Sequence, residues 1–136
     1  MGNVYAEITV KNNTDISKAR EGSIKENDIR MITLTALVDT GATSLIINEE
    51  TCQKLGLFIE KTRNINVAGG GKIECKVTEP VQICWKDRMA SCNAIVLPEG
   101  GTLLGVIPLE FMDLMVDPVR GELVGAHGDE AILLAL

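Results

Sequence analysis

At 136 residues, 46% hydrophobic and 24% charged, the chain has the size and composition of one folded domain, and a disordered tail is excluded. Thirteen basic against nineteen acidic residues leave a net charge of −6, and only 3% are aromatic, which disfavours nucleic-acid backbones and base stacking as targets. No apolar run approaches the roughly 20 residues of a membrane span, and the N-terminus lacks the plan of a signal peptide. A cytoplasmic protein without nucleic-acid or membrane partners is therefore expected. Cys52, Cys75, Cys84 and Cys92 fit the spacing of neither a zinc ribbon nor a redox pair, and are expected to be reduced thiols.

Val4 to Val10 alternates and predicts a half-buried strand. Asn12 to Asn27 is polar, mixed in charge and interrupted by Gly22, and reads as a long exposed connection or hairpin extension. Ile29 to Val38 predicts a second strand, running straight into Asp39-Thr40-Gly41. Ser44 to Ile47 is extended; Asn48 then caps a short helix that Gly56 stops. Phe58 to Val67 and Lys72 to Trp85 are strands around the Gly69-Gly70-Gly71 turn. A turn at Lys86-Asp87-Arg88, read as solvated, precedes a strand over Ser91 to Leu97. Leu103-Leu104-Gly105 is a buried run, and Pro108 opens a helix over Leu109 to Leu114. Met115 to Asp117 and Glu122 to Val124 predict a final hairpin, His127 an exposed turn, and Ala131 to Leu136 a wholly apolar tail. Many short strands with Gly and Pro turns imply an all-β barrel or sandwich filling residues 1–136 as a single domain.

Asp39 ends an apolar strand against a glycine. A carboxylate buried there costs several kcal/mol unless paired or neutralised. Asp-Thr-Gly alone is equally the sequence of a plain turn. It gains meaning from two downstream segments: the glycine-rich hairpin tip Val67-Ala68-Gly69-Gly70-Gly71, then Leu103-Leu104-Gly105 leading into a short helix.

In this order the motifs resemble the retropepsin-like aspartic proteases, and among them a small prokaryotic branch. The resemblance is carried by Ala36 to Thr43, Val67 to Lys72, and Thr102 to Gly105 through Pro108-Leu109-Glu110. It implies a mainly β fold, a closed antiparallel barrel with one or two short helices. It implies peptide hydrolysis by water, with no metal or other cofactor. Asp39, Thr40 and Gly41 would be the catalytic tripeptide. Ala42, Thr43, Ser44, Leu103 and the flap residues Ala68, Gly69, Gly70 and Gly71 would contact an extended peptide. Asp15, Asp28, Asp87, Asp113, Asp117 and Asp129 lie in no second such tripeptide, so the resemblance implies a homodimer in which two Asp39 side chains share one proton. The apolar tail is either an interface strand of that dimer or packs on its own chain. The retroviral enzymes hold an aspartate and an arginine where this chain has Thr43 and Val106, so both halves of an ion pair are replaced together.

Two other function classes compete. A non-catalytic dimerisation or peptide-binding module would use the same fold. An actin-like phosphate loop, Asp-x-Gly-x-Thr, needs two lobes that 136 residues cannot hold.

Overall fold

The computed structural model describes residues 2–129. The elements are β1 (Tyr5–Asn12), α1 (Asn13–Arg20), a single 3-10 turn (Glu26–Asp28), β2 (Met31–Val38), β3 (Leu45–Asn48) and α2 (Glu49–Leu55). They continue with β4 (Ile59–Asn66), β5 (Lys72–Trp85), β6 (Arg88–Leu97), β7 (Thr102–Leu104), α3 (Val106–Phe111), β8 (Leu114–Asp117) and β9 (Glu122–Asp129). Seven strands form one sheet in the order β1-β2-β7-β3-β6-β5-β4. A further pairing of β1 with β5 closes six of them into a barrel and leaves β4 as an edge strand. Pairing is antiparallel except for β2 with β7 and β3 with β6. β8 and β9 form the expected separate hairpin.

Alternation fills the barrel. Ile8 and Val10 of β1, Leu45 and Ile47 of β3, Val81 and Ile83 of β5 and Ala94 and Val96 of β6 point inward and are fully buried. The core is aliphatic, as the scarcity of aromatics requires, with Trp85 at its margin under the Lys86 ammonium, 4.5 Å from the ring centre. Helix α2 is capped as expected: Asn48 Oδ1 accepts from Thr51 N at 2.9 Å, and Gly56 ends it at φ 62°. Thr51, Cys52 and Leu55 are its buried side.

Strand β5 is unusually long because it serves two bodies. Its outer half, from Lys72, pairs with β4; its inner half, to Trp85, closes the barrel with β1. Its register against β6 shifts between Val77 and Pro80. Thr78 is buried in that bulge, its hydroxyl accepting from Ala94 N (3.0 Å) and donating to Glu79 O (2.7 Å). The side chain thus satisfies a ladder amide that the shift would orphan.

Several expectations need correction. The segment Asn12 to Asn27 is not a plain exposed connection: it holds α1 and the start of the 3-10 turn. Asn12 Oδ1 caps α1 through Asp15 N (2.9 Å), and Asn12 Nδ2 donates to Leu55 O (2.8 Å), joining α1 to α2. Asp15 accepts from Arg30 N, Nε and Nη2 at 2.8–3.0 Å. These bonds to the Arg30 guanidinium hold the Asp15 carboxyl below the usual carboxylate range against the opposing effect of burial. Helix α3 starts at Val106, with Pro108 in its first turn, and Leu114 belongs to β8. Arg88 is no solvated turn residue but 5% exposed, donating to Met112 O, Asp113 O and Gly128 O at 2.6–2.8 Å. His127 lies in β9, its exposed ring 2.8 Å from Asp113 Oδ1. The tail Ala131 to Leu136 lies outside the described residues.

Candidate active site

Asp39 follows the last residue of β2 and is fixed by its backbone on both sides. Val38 N donates to Val4 O (2.8 Å), and Asp39 N donates to Leu104 O (3.0 Å) at the end of β7. The loop then turns sharply, Ala42 N donating to Asp39 O (3.0 Å). Gly41 N donates to Asp39 Oδ1 at 2.9 Å and so orients the carboxylate. The carbonyls of Ala42, Thr43 and Ser44 accept from Val106 N, Ile107 N and Gly105 N, each at 2.9 Å. The Asp39 loop is thereby stitched to the start of α3. The stitching depends on Gly105: a Cβ there would stand 2.3 Å from Ser44 O and 2.6 Å from Ala42 O. Thr43 and Val106, the positions of the replaced ion pair, are held by these backbone bonds.

The sheet register builds a floor beside Asp39. Leu37 of β2 is paired with Leu103 of β7, Leu103 with Ile46 of β3, and Ile46 with Ile95 of β6. Ile95 is paired in turn with Val77 of β5, and Val77 with Lys61 of β4. Each neighbour of Leu37, Ile46, Ile95 and Leu103 that belongs to the core (Ala36, Leu45, Ile47, Ala94, Val96, Leu104) is buried on the inner face of its strand. These four side chains therefore stand on the opposite face, half-exposed, as an apolar stripe across four strands.

The β4–β5 hairpin projects beyond the barrel. Its tip bonds to itself, Val67 N to Gly71 O (2.9 Å) and Gly70 N to Val67 O (3.2 Å), with Gly69 and Gly70 at φ 95° and 87°. Among the described residues no hydrogen bond ties this tip to the Asp39 loop. The hairpin base is tied to it, through side chains. Ser44 Oγ donates to Asn93 O (2.6 Å), and Asn93 Nδ2 donates to Thr78 O (2.7 Å) and Glu60 Oε1 (3.1 Å). Beside Ser44 lies Cys92 Sγ, 3.8 Å from its hydroxyl. Burial pushes the Cys92 thiol up, keeping it protonated and a poor nucleophile.

Of the residues singled out in the sequence, the structure brings Asp39, Thr40, Gly41, Ala42, Thr43 and Ser44 into one loop, with Leu103 on the adjacent floor. Ala68, Gly69, Gly70 and Gly71 form the hairpin tip. Sequence reasoning missed Leu37, Ile46, Ile95 and Val77. Their only signal was membership of strongly apolar strands, and pairing register alone shows which face is the floor. It also missed Asn93, whose sequence position carries no signal.

A family model described as "gag-polyprotein putative aspartyl protease" matches residues 21–110, about two thirds of the chain. Among solved structures, the EIAV protease complexed with the inhibitor HBY-793 matches with a TM-score of 0.50 at 21% identity, over 76% of this chain and 82% of that chain. Comparison with curated proteins finds no match.

Proposed function

From the premise that the chain belongs to the retropepsin-like aspartic protease family, we propose that it is a homodimeric aspartic endopeptidase, one such domain per chain, acting on extended peptides. The observation that carries the reading is the setting of Asp39. Its carboxylate is oriented by Gly41 N–H (2.9 Å) beside a half-exposed apolar floor, and the 136 residues hold a single Asp-Thr-Gly. Thr40 and Gly41 are exposed on this chain, as a surface that meets a second copy requires.

In the proposed dimer two Asp39 carboxyls face each other across a two-fold axis and share one proton, because adjacent like charges do not both ionise. The ionised member takes a proton from water, which attacks the scissile carbonyl carbon. The protonated member donates to the carbonyl oxygen. Collapse of the tetrahedral gem-diol breaks the C–N bond: the amine leaves with the proton taken from water, one hydroxyl proton returns to the carboxylate that had donated, and the product acid and the singly protonated pair are left. Thr40 braces the pair. The apolar floor and the hairpin tip hold the peptide extended between them, excluding bulk water.

The test is cleavage of a diverse peptide library by the native protein and by Asp39→Asn. The variant keeps shape but cannot accept the water proton, so turnover falls at least about a hundredfold. The native pH profile is bell-shaped, since one proton on the pair is required. Sedimentation shows a dimer at micromolar concentration. Equal rates would reduce Asp39 to a turn residue; peptide binding with no cleavage would identify a non-catalytic binding module instead.

A further inference from the structure

We propose that the outer end of the cleft is a subsite for an acidic side chain, Asp or Glu, of the peptide; this rests on the proteolytic reading. A cavity of about 270 Å³ opens between Ser44 of the Asp39 loop and strands β4, β5 and β6, where the apolar stripe ends. Val77 and Ile95 line it and offer a surface for methylene groups. Its other walls are polar, and most of their groups are engaged. Ser44 Oγ is bonded to Asn93 O, Asn93 Nδ2 to Thr78 O and Glu60, and Glu60 Oε1 to that amide. The two cations, Lys61 and Arg63, stand two residues apart on one face of β4 and make no ion pair among the described residues.

These cations are also out of keeping with the rest of the molecule. Residues 59–77 hold four basic and two acidic side chains, whereas the remainder holds nine basic and seventeen acidic. A carboxylate entering the pocket thus moves from a repelling surface to an attracting one, while an incoming Lys or Arg meets like charge. The position follows from the register. From Leu37, two residues before Asp39, to Ile95 is three strand spacings, about 14 Å, or roughly four residues of extended peptide. The selected side chain therefore lies three or four residues from the bond to be cut.

Matched decapeptides of one cleaved sequence, carrying Glu, Gln or Lys three or four residues to either side of the bond, test this. On the native protein kcat/KM follows Glu, then Gln, then Lys, by about fivefold per step at low salt, a spread that shrinks in about 0.5 M salt. The double variant Lys61→Glu/Arg63→Glu inverts the order. A second measurement needs no turnover: calorimetric titration of the same peptides into Asp39→Asn gives the same ranking in Kd. Charge-independent cleavage overturns the subsite and leaves proteolysis standing. Charge-selective binding without cleavage by the native protein overturns proteolysis and leaves the subsite. Equal Kd for all three peptides, or binding of none, also overturns the subsite.

Discussion

The loop around Asp39 and the tip of the β4–β5 hairpin both rely on glycine, for opposite reasons. At Gly105 the missing Cβ is a matter of room: the position is packed against two carbonyl oxygens of the Asp39 loop. At Gly70 there is open space, nothing within 4 Å of where a Cβ would stand, and what matters is a φ of 87°. One glycine lets two backbone segments touch; the other lets a single backbone turn without support. The molecule thus pairs a floor fixed by contact with an arm shaped only by its own chain.

Substitutions separate the two uses. Gly105→Ala has the largest expected effect. The new methyl meets backbone, not a movable side chain, so stability falls by about 3 kcal/mol or more in denaturant unfolding, and activity disappears with the loop geometry. Gly70→Val comes next: folding loses only about 1–2 kcal/mol from the left-handed conformation, yet turnover falls at least about tenfold as the tip reshapes. Gly70→Asn, which tolerates that conformation, retains most activity. If Gly70→Val left peptide kinetics intact in a folded protein, the arm would have no part in the site.

The smallest effect on turnover belongs to Asp15, far along the chain from both regions. Its carboxyl is held below the usual range by Arg30, so the ionised form is the one the fold favours. The stabilisation is fully present above the ordinary carboxylate value, about 3.9, and is lost as pH falls through the lower folded value. Asp15→Asn should cost about 1–2 kcal/mol at neutral pH, discounted because Arg30 is half-exposed. The gap to the native protein should close in acid, with kcat/KM at neutral pH nearly unchanged. A gap that persisted at low pH would mean that Asp15 acts as a hydrogen-bond acceptor for Arg30 and not through its charge.

What could be read from the sequence was whatever its own neighbours enforce. Asn48 and Gly56 bracket α2 within nine residues, and the Gly69–Gly71 turn lies between two strands that pair across it, so local chemistry sufficed. The order of Asp39, glycine hairpin and Leu103-Leu104-Gly105 carried the family and the loop. What could not be read depends on partners far away. Helix α1 has only a weak apolar face and is organised by Arg30 and the carbonyl of Leu55, 15 and 43 residues from the groups they meet. Arg88 follows two turn residues and is buried only because three carbonyls from 24 to 40 residues onward converge on it. The floor was hidden for a related reason: β3 is apolar on both faces, and only its pairing with β6 and β7 turns Ile46 outward.

The bulge at Thr78 gives β5 the mechanics of a lever with an internal fulcrum. One continuous strand belongs to the arm on one side and to the closed barrel on the other, and its pivot is clamped by Ala94 N and the Asn93 amide. Load applied to the tip meets the pairing of Lys76 and Val77 with β6, then those two bonds, before it reaches the pairing of β5 with β1. Thr78→Val, which keeps shape but removes the hydroxyl, should transmit that load inward. Amide exchange at Val81 to Cys84 should then be faster in the variant than in the native protein, and equal rates there would mean that Thr78 bears no such load.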